Sequence, residues 1–408
     1  MLKKFKAFYS FNSLTVGRWL VIMELVALLF SPPLTNLFEL SLFALFICSD
    51  DLRKRMLLAI KQPMVIATLL FYLSILIATT YSIESWTEAL KACWAWRKIW
   101  LLPISVALFD DEFWKQKLAS IFIKISTACA VASYLGVLLN HAFYRYEVGI
   151  IIRNHATQGI IFSVAAFTAG IFLITNPTIF SKPQKWALSA CILVLVSNII
   201  YVTPGRSGYL ALIVLSLTTA LAYVYLNKKF VTPLIVLTLL PILLLSSPNV
   251  RQRVSQGVGE AERYKSTTTA TSMGIRIVLW KNTLGLIRAH PLIGYGTGSF
   301  RKAYKTTVEN EPEWKQTIMH DPHNQFLKIT TEQGILGLII FVGMILSAFW
   351  QKASFTYRFL GLGIMLVWVG NSQFSSHFST FSEGRFVYIW CGVMLATRLG
   401  QSKKWLSS

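Results

Sequence analysis

The sequence predicts an all-α, polytopic membrane protein. Of 408 residues, 54% are apolar and only 14% charged, the mean hydropathy is +0.54, and the apolar residues gather in runs separated by short basic segments. The net charge of +21 does not argue for nucleic acid, because most of the cations lie in short loops between apolar runs and not on one soluble face. No nucleic-acid partner is expected. The five cysteines, Cys48, Cys93, Cys129, Cys191 and Cys391, are odd in number, lie in or near apolar runs and lack CxxC spacing. They read as packing residues, with neither a disulfide framework nor a metal site.

Taken in order, the basic start Lys3-Lys4-Phe-Lys6 precedes apolar helix without a small-residue cleavage site, which predicts a retained first span. The apolar runs fall at 17–31, 33–48, 63–81, 97–109, 118–140, 159–176, 186–203, 208–226, 231–247, 335–350, 357–375 and 386–399. These make about twelve spans, several of them shorter than the roughly 20 residues an upright crossing needs. With the N-terminus in the cytoplasm, every inside loop is basic: Arg53, Lys54, Arg55 and Lys61, then Lys115 and Lys117, Lys182 and Lys185, Lys228 and Lys229, Lys352 and Arg358, and Lys403 and Lys404. Three regions follow: spans 1 to 9 in 1–247, a long, partly helical outer loop in 248–334, and spans 10 to 12 with a cytoplasmic C-terminus in 335–408.

Cations on the outer side run against the charge rule and need another explanation. Arg206 lies in the tight turn Thr203-Pro-Gly-Arg206-Ser-Gly208, which holds its guanidinium near headgroup depth beside a helix N-terminus. An anion is the natural ligand; the plainer alternative is an arginine reaching lipid phosphate. In the long loop, Ser272 can cap a helix that runs to about Ala289 and is stopped by His290-Pro291. Arg276, Trp280, Thr283 and Ile287 share one face of it, and Ile277, Lys281, Leu284 and Arg288 a neighbouring one. This basic helix either lies on anionic lipid or turns Arg276, and with it Lys281, inward as anion ligands. Gly294, Gly296 and Gly298 follow without a preceding strand, so they predict a tight turn with close backbone approach and no dinucleotide fold.

His323 follows Pro322 just ahead of span 10, where a neutral imidazole can take a proton from a hydroxyl nucleophile. Asn324 or Asp321 can orient the ring, and His320 competes for the same role. A histidine in a loop is otherwise structural. His320, Asp321 and His323 lack both helical zinc spacing and an evident third ligand. Arg145, Arg153 and His155 in the third outer loop are secondary candidates for phosphate contact, with Arg145 and Arg153 facing lipid as the alternative; Arg288 also suits a helix C-terminus in its own right.

The order of these pieces resembles the O-antigen ligase and Wzy-type polymerase superfamily. The match rests on the turn arginine, then Gly-x-Arg-x-x-x-Trp at Gly274 to Trp280, His290-Pro-x-x-Gly-x-Gly-x-Gly-x-Phe300, His323-Asn324-x-x-Leu327 and Glu332-x-Gly334-x-x-Gly337. It covers roughly Thr203 to Phe341, and the twelve-span layout extends it. The resemblance implies a GT-C-like, inverting, metal-independent glycosyltransferase of the bacterial inner membrane with its active site on the periplasmic face and no cofactor. In the ligase branch the donor is O-antigen on undecaprenyl pyrophosphate and the acceptor is lipid A-core. By resemblance Arg206 and Arg276 bind the diphosphate, and His323 is the catalytic base. A polymerase or a protein O-oligosaccharyltransferase of the same superfamily is the nearest alternative. A lipid-linked oligosaccharide flippase is the alternative from another class; it would need ionisable residues along a path through the spans, of which Arg18 and Glu24 form a thin one.

Overall fold

The computed structural model describes residues 12–143, 147–175, 179–263, 271–308 and 319–399. The helices are α1 (Ser13–Phe30), α2 (Pro32–Cys48), α3 (Asp50–Ala59), α4 (Pro63–Thr80), α5 (Trp86–Ala95), α6 (Leu101–Leu108), α7 (Glu112–Leu138), α8 (His155–Thr175) and α9 (Lys182–Tyr201). They continue as α10 (Arg206–Asn227), α11 (Val231–Ser246), α12 (Pro248–Arg263), α13 (Ser272–Ala289), α14 (Phe300–Val308), α15 (Gln325–Ser347), α16 (Phe355–Asn371) and α17 (Phe381–Leu395). Local signals set many of the starts. Asn12, Ser31, Ser49, Ser85 and Asp111 each accept a backbone N–H at a helix N-terminus, and proline opens α2 and α4.

Among the described residues seven helices are long and apolar enough to cross a membrane, and two bent pairs, α2 with α3 at 99° and α11 with α12 at 83°, raise the number to nine if each pair is one span. The expected twelve is not reached by this measure. Its remaining runs fold as α6, α16 and α17, which are shorter. All eight residues of α6 and thirteen of the fifteen in α17 are buried, so these helices are wrapped by protein and need not match the hydrocarbon thickness. The stretch from 82 to 96, expected as a loop, contains α5. Ser85 caps it, Trp86, Leu90 and Trp94 are exposed along one face, and Ala89 and Cys93 are buried on another.

Two close approaches position the end of the bundle that carries Arg206 and the glycine-rich turn. Helices α8 and α10 cross where Gly159 meets Gly208: a Cβ on Gly159 would stand 2.9 Å from the Gly208 Cα. Ser163 Oγ reaches Gly208 O at 3.2 Å at the same crossing. Each helix begins a few residues away, so the start of α8 at His155 and of α10 at Arg206 lie side by side.

The second approach is a break in α15. Gly334 takes φ 65° and ψ −167° inside it, which frees carbonyls that the helix would have used. Tyr295 N donates to Thr331 O at 2.9 Å and Gly296 N to Glu332 O at 2.8 Å, while Ile335 N donates to Pro291 O at 2.8 Å. The other side of the same loop sits on the end of α4, where Thr297 N donates to Ala78 O at 2.9 Å and Ile83 N to Tyr295 O at 3.0 Å. The glycine-rich turn is thus a backbone splint between α4 and the broken helix, and the unpaired groups of the break are satisfied by it.

Candidate active site

Arg206 is the first residue of α10, with Gly205 as its N-cap. The turn before it is held from within: Thr203 Oγ1 donates to Asn198 Oδ1 at 2.9 Å, Gln158 Nε2 donates to Thr203 Oγ1 at 3.1 Å, and Gly205 N donates to Thr203 O at 2.8 Å. Helix α12 lies across the guanidinium: a Cβ on Gly257 would stand 3.2 Å from Arg206 Cζ.

Helix α13 supplies Arg276. Its N-cap is Thr271, whose side chain accepts from Gly274 N; the cap is thus one residue earlier than the expected Ser272. Glu260 on α12 accepts from Met273 N at 2.9 Å, tying the start of α13 to the helix that covers Arg206. Burial holds the Arg276 guanidinium below its ordinary pKa, the charge of Arg206 adds to this, and Glu260 opposes it. Neither Arg206 nor Arg276 is ion-paired to an acid among the described residues. Two neighbouring cations with no ion-paired acid among the described residues make a field suited to a doubly charged anion.

His323 completes the group. Its imidazole is half-buried and is held below its ordinary pKa by burial first, with Asp321 raising it and Arg276 lowering it further. Arg276 therefore acts electrostatically on His323 and is acted on by Arg206. The backbone of His323 takes φ +52°, and its N–H donates to Asp321 Oδ1 at 2.7 Å. Asp321 also accepts from Ser376 Oγ at 2.8 Å and meets Lys328 Nζ at 3.2 Å. Burial alone would push the Asp321 carboxyl up, but Lys328, the Ser376 hydroxyl and the His323 N–H together leave it below its ordinary value.

The expected ring-orienting role of Asn324 is corrected. Its Oδ1 caps α15 by accepting from Phe326 N at 2.9 Å and Leu327 N at 3.1 Å, and its Nδ2 donates to Gln373 O at 3.1 Å. Asp321 likewise holds the His323 backbone and not the ring. Trp280, which the sequence places on the Arg276 face without a role of its own, has one here. Its Nε1 donates to Pro322 O at 3.0 Å and its ring meets Phe374 at 6.1 Å, so α13 is tethered directly to the histidine turn. The available signal was its spacing one turn after Arg276.

The secondary candidates divide. Lys281, Arg288 and His320 are exposed, and Arg288 stands in the last turn of α13. His155 Nδ1 lies 3.5 Å from Glu147 Oε2 at the start of α8. Arg153, with φ +45°, is half-buried: its guanidinium sits 5.5 Å from the Phe381 ring centre, and its Nη1 is buried. Arg145 lies outside the described residues. Among the described residues no three His, Cys, Asp or Glu side chains gather in a metal-binding group.

The O-antigen ligase (Wzy_C) family model matches residues 191–342. A Haemophilus influenzae protein carrying the name "Uncharacterized protein" is 25% identical over 201 residues, covering 47% of this chain and 50% of that relative. A Rickettsia felis protein named "Putative polysaccharide ligase" is 33% identical over 85 residues, 20% of this chain and 21% of that one. A Rickettsia conorii protein of similar name is 29% identical over 130 residues, 30% of each. The chain thus spans about half of the Haemophilus relative and less than a third of the Rickettsia ones. Arg206, Arg276 and His323 all fall inside the matched segment, and over that segment the chain is similar to the O-antigen ligase family.

Proposed function

We propose that the protein is an O-antigen ligase, an inverting glycosyltransferase of the bacterial inner membrane. It moves O-antigen polysaccharide from undecaprenyl pyrophosphate to a sugar hydroxyl of lipid A-core on the periplasmic face. The observation that carries this reading is the linked group of Arg206, Arg276 and His323 inside the family segment.

The chemistry asks little else of the chain. In the transfer the acceptor oxygen bonds to the anomeric carbon as the bond from that carbon to the diphosphate oxygen breaks, and the diphosphate leaves with its electron pair. Arg206 and Arg276 bind the diphosphate and stabilise the charge that grows on it. His323, kept neutral near pH 7 by its partly buried setting, accepts the hydroxyl proton. Attack from the face opposite the leaving group inverts the anomeric centre. Trp280 and Asp321 are positioning residues, since they hold the His323 turn.

The test is transfer by the purified chain in lipid, in the presence of chelator, from undecaprenyl-pyrophosphate-linked O-antigen to lipid A-core. Wild type should form product, and folded His323→Ala, Arg206→Ala and Arg276→Ala variants should lose about 100-fold or more, the usual scale for a general base or a charge-stabilising donor. Elongation of lipid-linked glycan without transfer to lipid A-core would make it a polymerase instead. Flux of the lipid-linked glycan with no transfer would make it a transporter.

A further inference from the structure

Helix α12 carries a feature that the diphosphate and the base do not account for. Asn249, Gln252, Arg253 and Gln256 recur at i, i+3, i+4 and i+7, the spacing of one helical face. With Pro204 from the turn that presents Arg206, these four line a cleft of about 270 Å³. Directly after Gln256, Gly257 lies on the Arg206 guanidinium, and one turn beyond Gln256, Glu260 holds the start of the Arg276 helix. The cleft and the arginine pair are therefore consecutive stations along one helix.

On this helix Val250 is 4% exposed and packs into the core, while Val254 and Val258, 52% and 53% exposed, stand on the surface with the exposed amides of Gln252 and Gln256. Helix α12 also turns 83° away from the apolar α11, a course along the membrane plane if α11 crosses it. Those exposed valines then suit the acyl boundary, and the amide stripe borders the cleft. A second, independent observation lies across the turn. The Tyr209 hydroxyl on the first turn of α10 is buried, with the residue 7% exposed, and has no hydrogen-bond partner among the described residues. It stands within the field of Arg253.

Three primary amides and a guanidinium line the cleft, groups that read hydroxyls, and the amides both donate and accept. The set contains a single cation, unlike the paired arginines next to it. A cleft of about 270 Å³ has room for one sugar ring. We propose that Asn249, Gln252, Arg253, Gln256 and Pro204 form a carbohydrate subsite for the sugar that adjoins the diphosphate of the lipid-linked donor. This rests on the ligase reading above, since that reading puts a diphosphate on Arg206 and Arg276.

The experiment measures binding and transfer separately. Wild type and Gln252→Leu/Gln256→Leu are titrated with bare undecaprenyl pyrophosphate and with glycan-loaded undecaprenyl pyrophosphate extracted from the host's own membranes. Thermal stability is recorded for both proteins. Wild type should bind the loaded lipid more tightly than the bare one. The double variant should keep its affinity for the bare lipid and lose about tenfold for the loaded one, two hydrogen bonds' worth, with KM for donor raised and kcat little changed. Arg253→Gln should give the same pattern. An unchanged affinity ratio in a folded double variant would overturn the subsite. A raised KM for lipid A-core alone would overturn its assignment to the donor. Failure of wild type to bind even the bare lipid would instead overturn the ligase reading, so the two failures are distinguishable.

Discussion

At the scale of the residue, His323 is the most informative position, because it combines a left-handed backbone with a half-buried ring. A non-glycine residue at φ +52° costs on the order of 1–3 kcal/mol, and the Asp321 carboxylate, held by Lys328 and Ser376, is what offsets it. The electrostatics give a signed prediction. In the proposed mechanism the neutral imidazole is the base, so activity falls as pH drops through the His323 pKa, and burial with Arg276 puts that acid limb below the ordinary value of 6.5. Asp321 raises this pKa; Asp321→Asn should therefore move the acid limb to lower pH and reduce kcat, read from kcat/KM against pH. A limb that stays in place would mean that His323 does not titrate as the base. The residue type and its place before an apolar run were legible in the sequence. Its supports were not, because Ser376 and Gln373 come from a turn about fifty residues later, and no local pattern announces a contact of that separation.

At the scale of the element, the glycine-rich turn shows where a motif is readable and its partner is not. Positive φ at Gly294, Gly296 and Gly298 fits the close approach that the spacing predicts. That the approach is to Ser82 and to the break at Gly334 follows only from the tertiary fold. Gly296→Ala should be destabilising: its φ of +92° alone costs about 1–2 kcal/mol for an L side chain, and the new Cβ would stand 2.2 Å from the Ser82 Cα. Gly285 in α13 is the contrasting case, since nothing lies within 4 Å of its Cβ position. Gly285→Ala should stabilise by about 0.8–1.0 kcal/mol through helix propensity. Thermal unfolding in detergent should shift in opposite directions for the two variants, and a neutral Gly296→Ala would show that the splint between α4 and α15 gives way easily. The helical faces of α13 were likewise legible. Arg276 and Trp280 face inward and Lys281 and Arg288 outward, so one of the two expected faces makes the site and the other does not.

At the scale of the molecule, the interior holds more charge than the two residues noted in the first span. Glu39, 1% exposed, receives the Arg385 guanidinium at 2.6 Å, and Arg97 Nε lies 2.9 Å from its other oxygen, close enough for an ion pair though not aligned for a hydrogen bond. Asn36 Oδ1 accepts from both arginines at 3.2 Å. Ionisable groups inside a membrane bundle are the usual mark of a transport path, yet these are engaged with one another. They join α2, the 96–100 turn and α17, which stand at opposite ends of the chain. Such a cluster is costly to break and nearly neutral to replace as a whole, because removing one partner leaves a buried charge uncompensated. Arg385→Ala should lower stability by about 3–5 kcal/mol, seen as a marked fall in apparent melting temperature. The residual folded enzyme should keep its KM for donor, since Arg385 acts on Glu39 and Asn36 and not on the arginine pair. An unchanged melting temperature with a raised donor KM would move the cluster into the substrate path. A fall in stability alone would make it the clamp that holds α2 to α17, the frame against which the α15 break and the His323 turn are set.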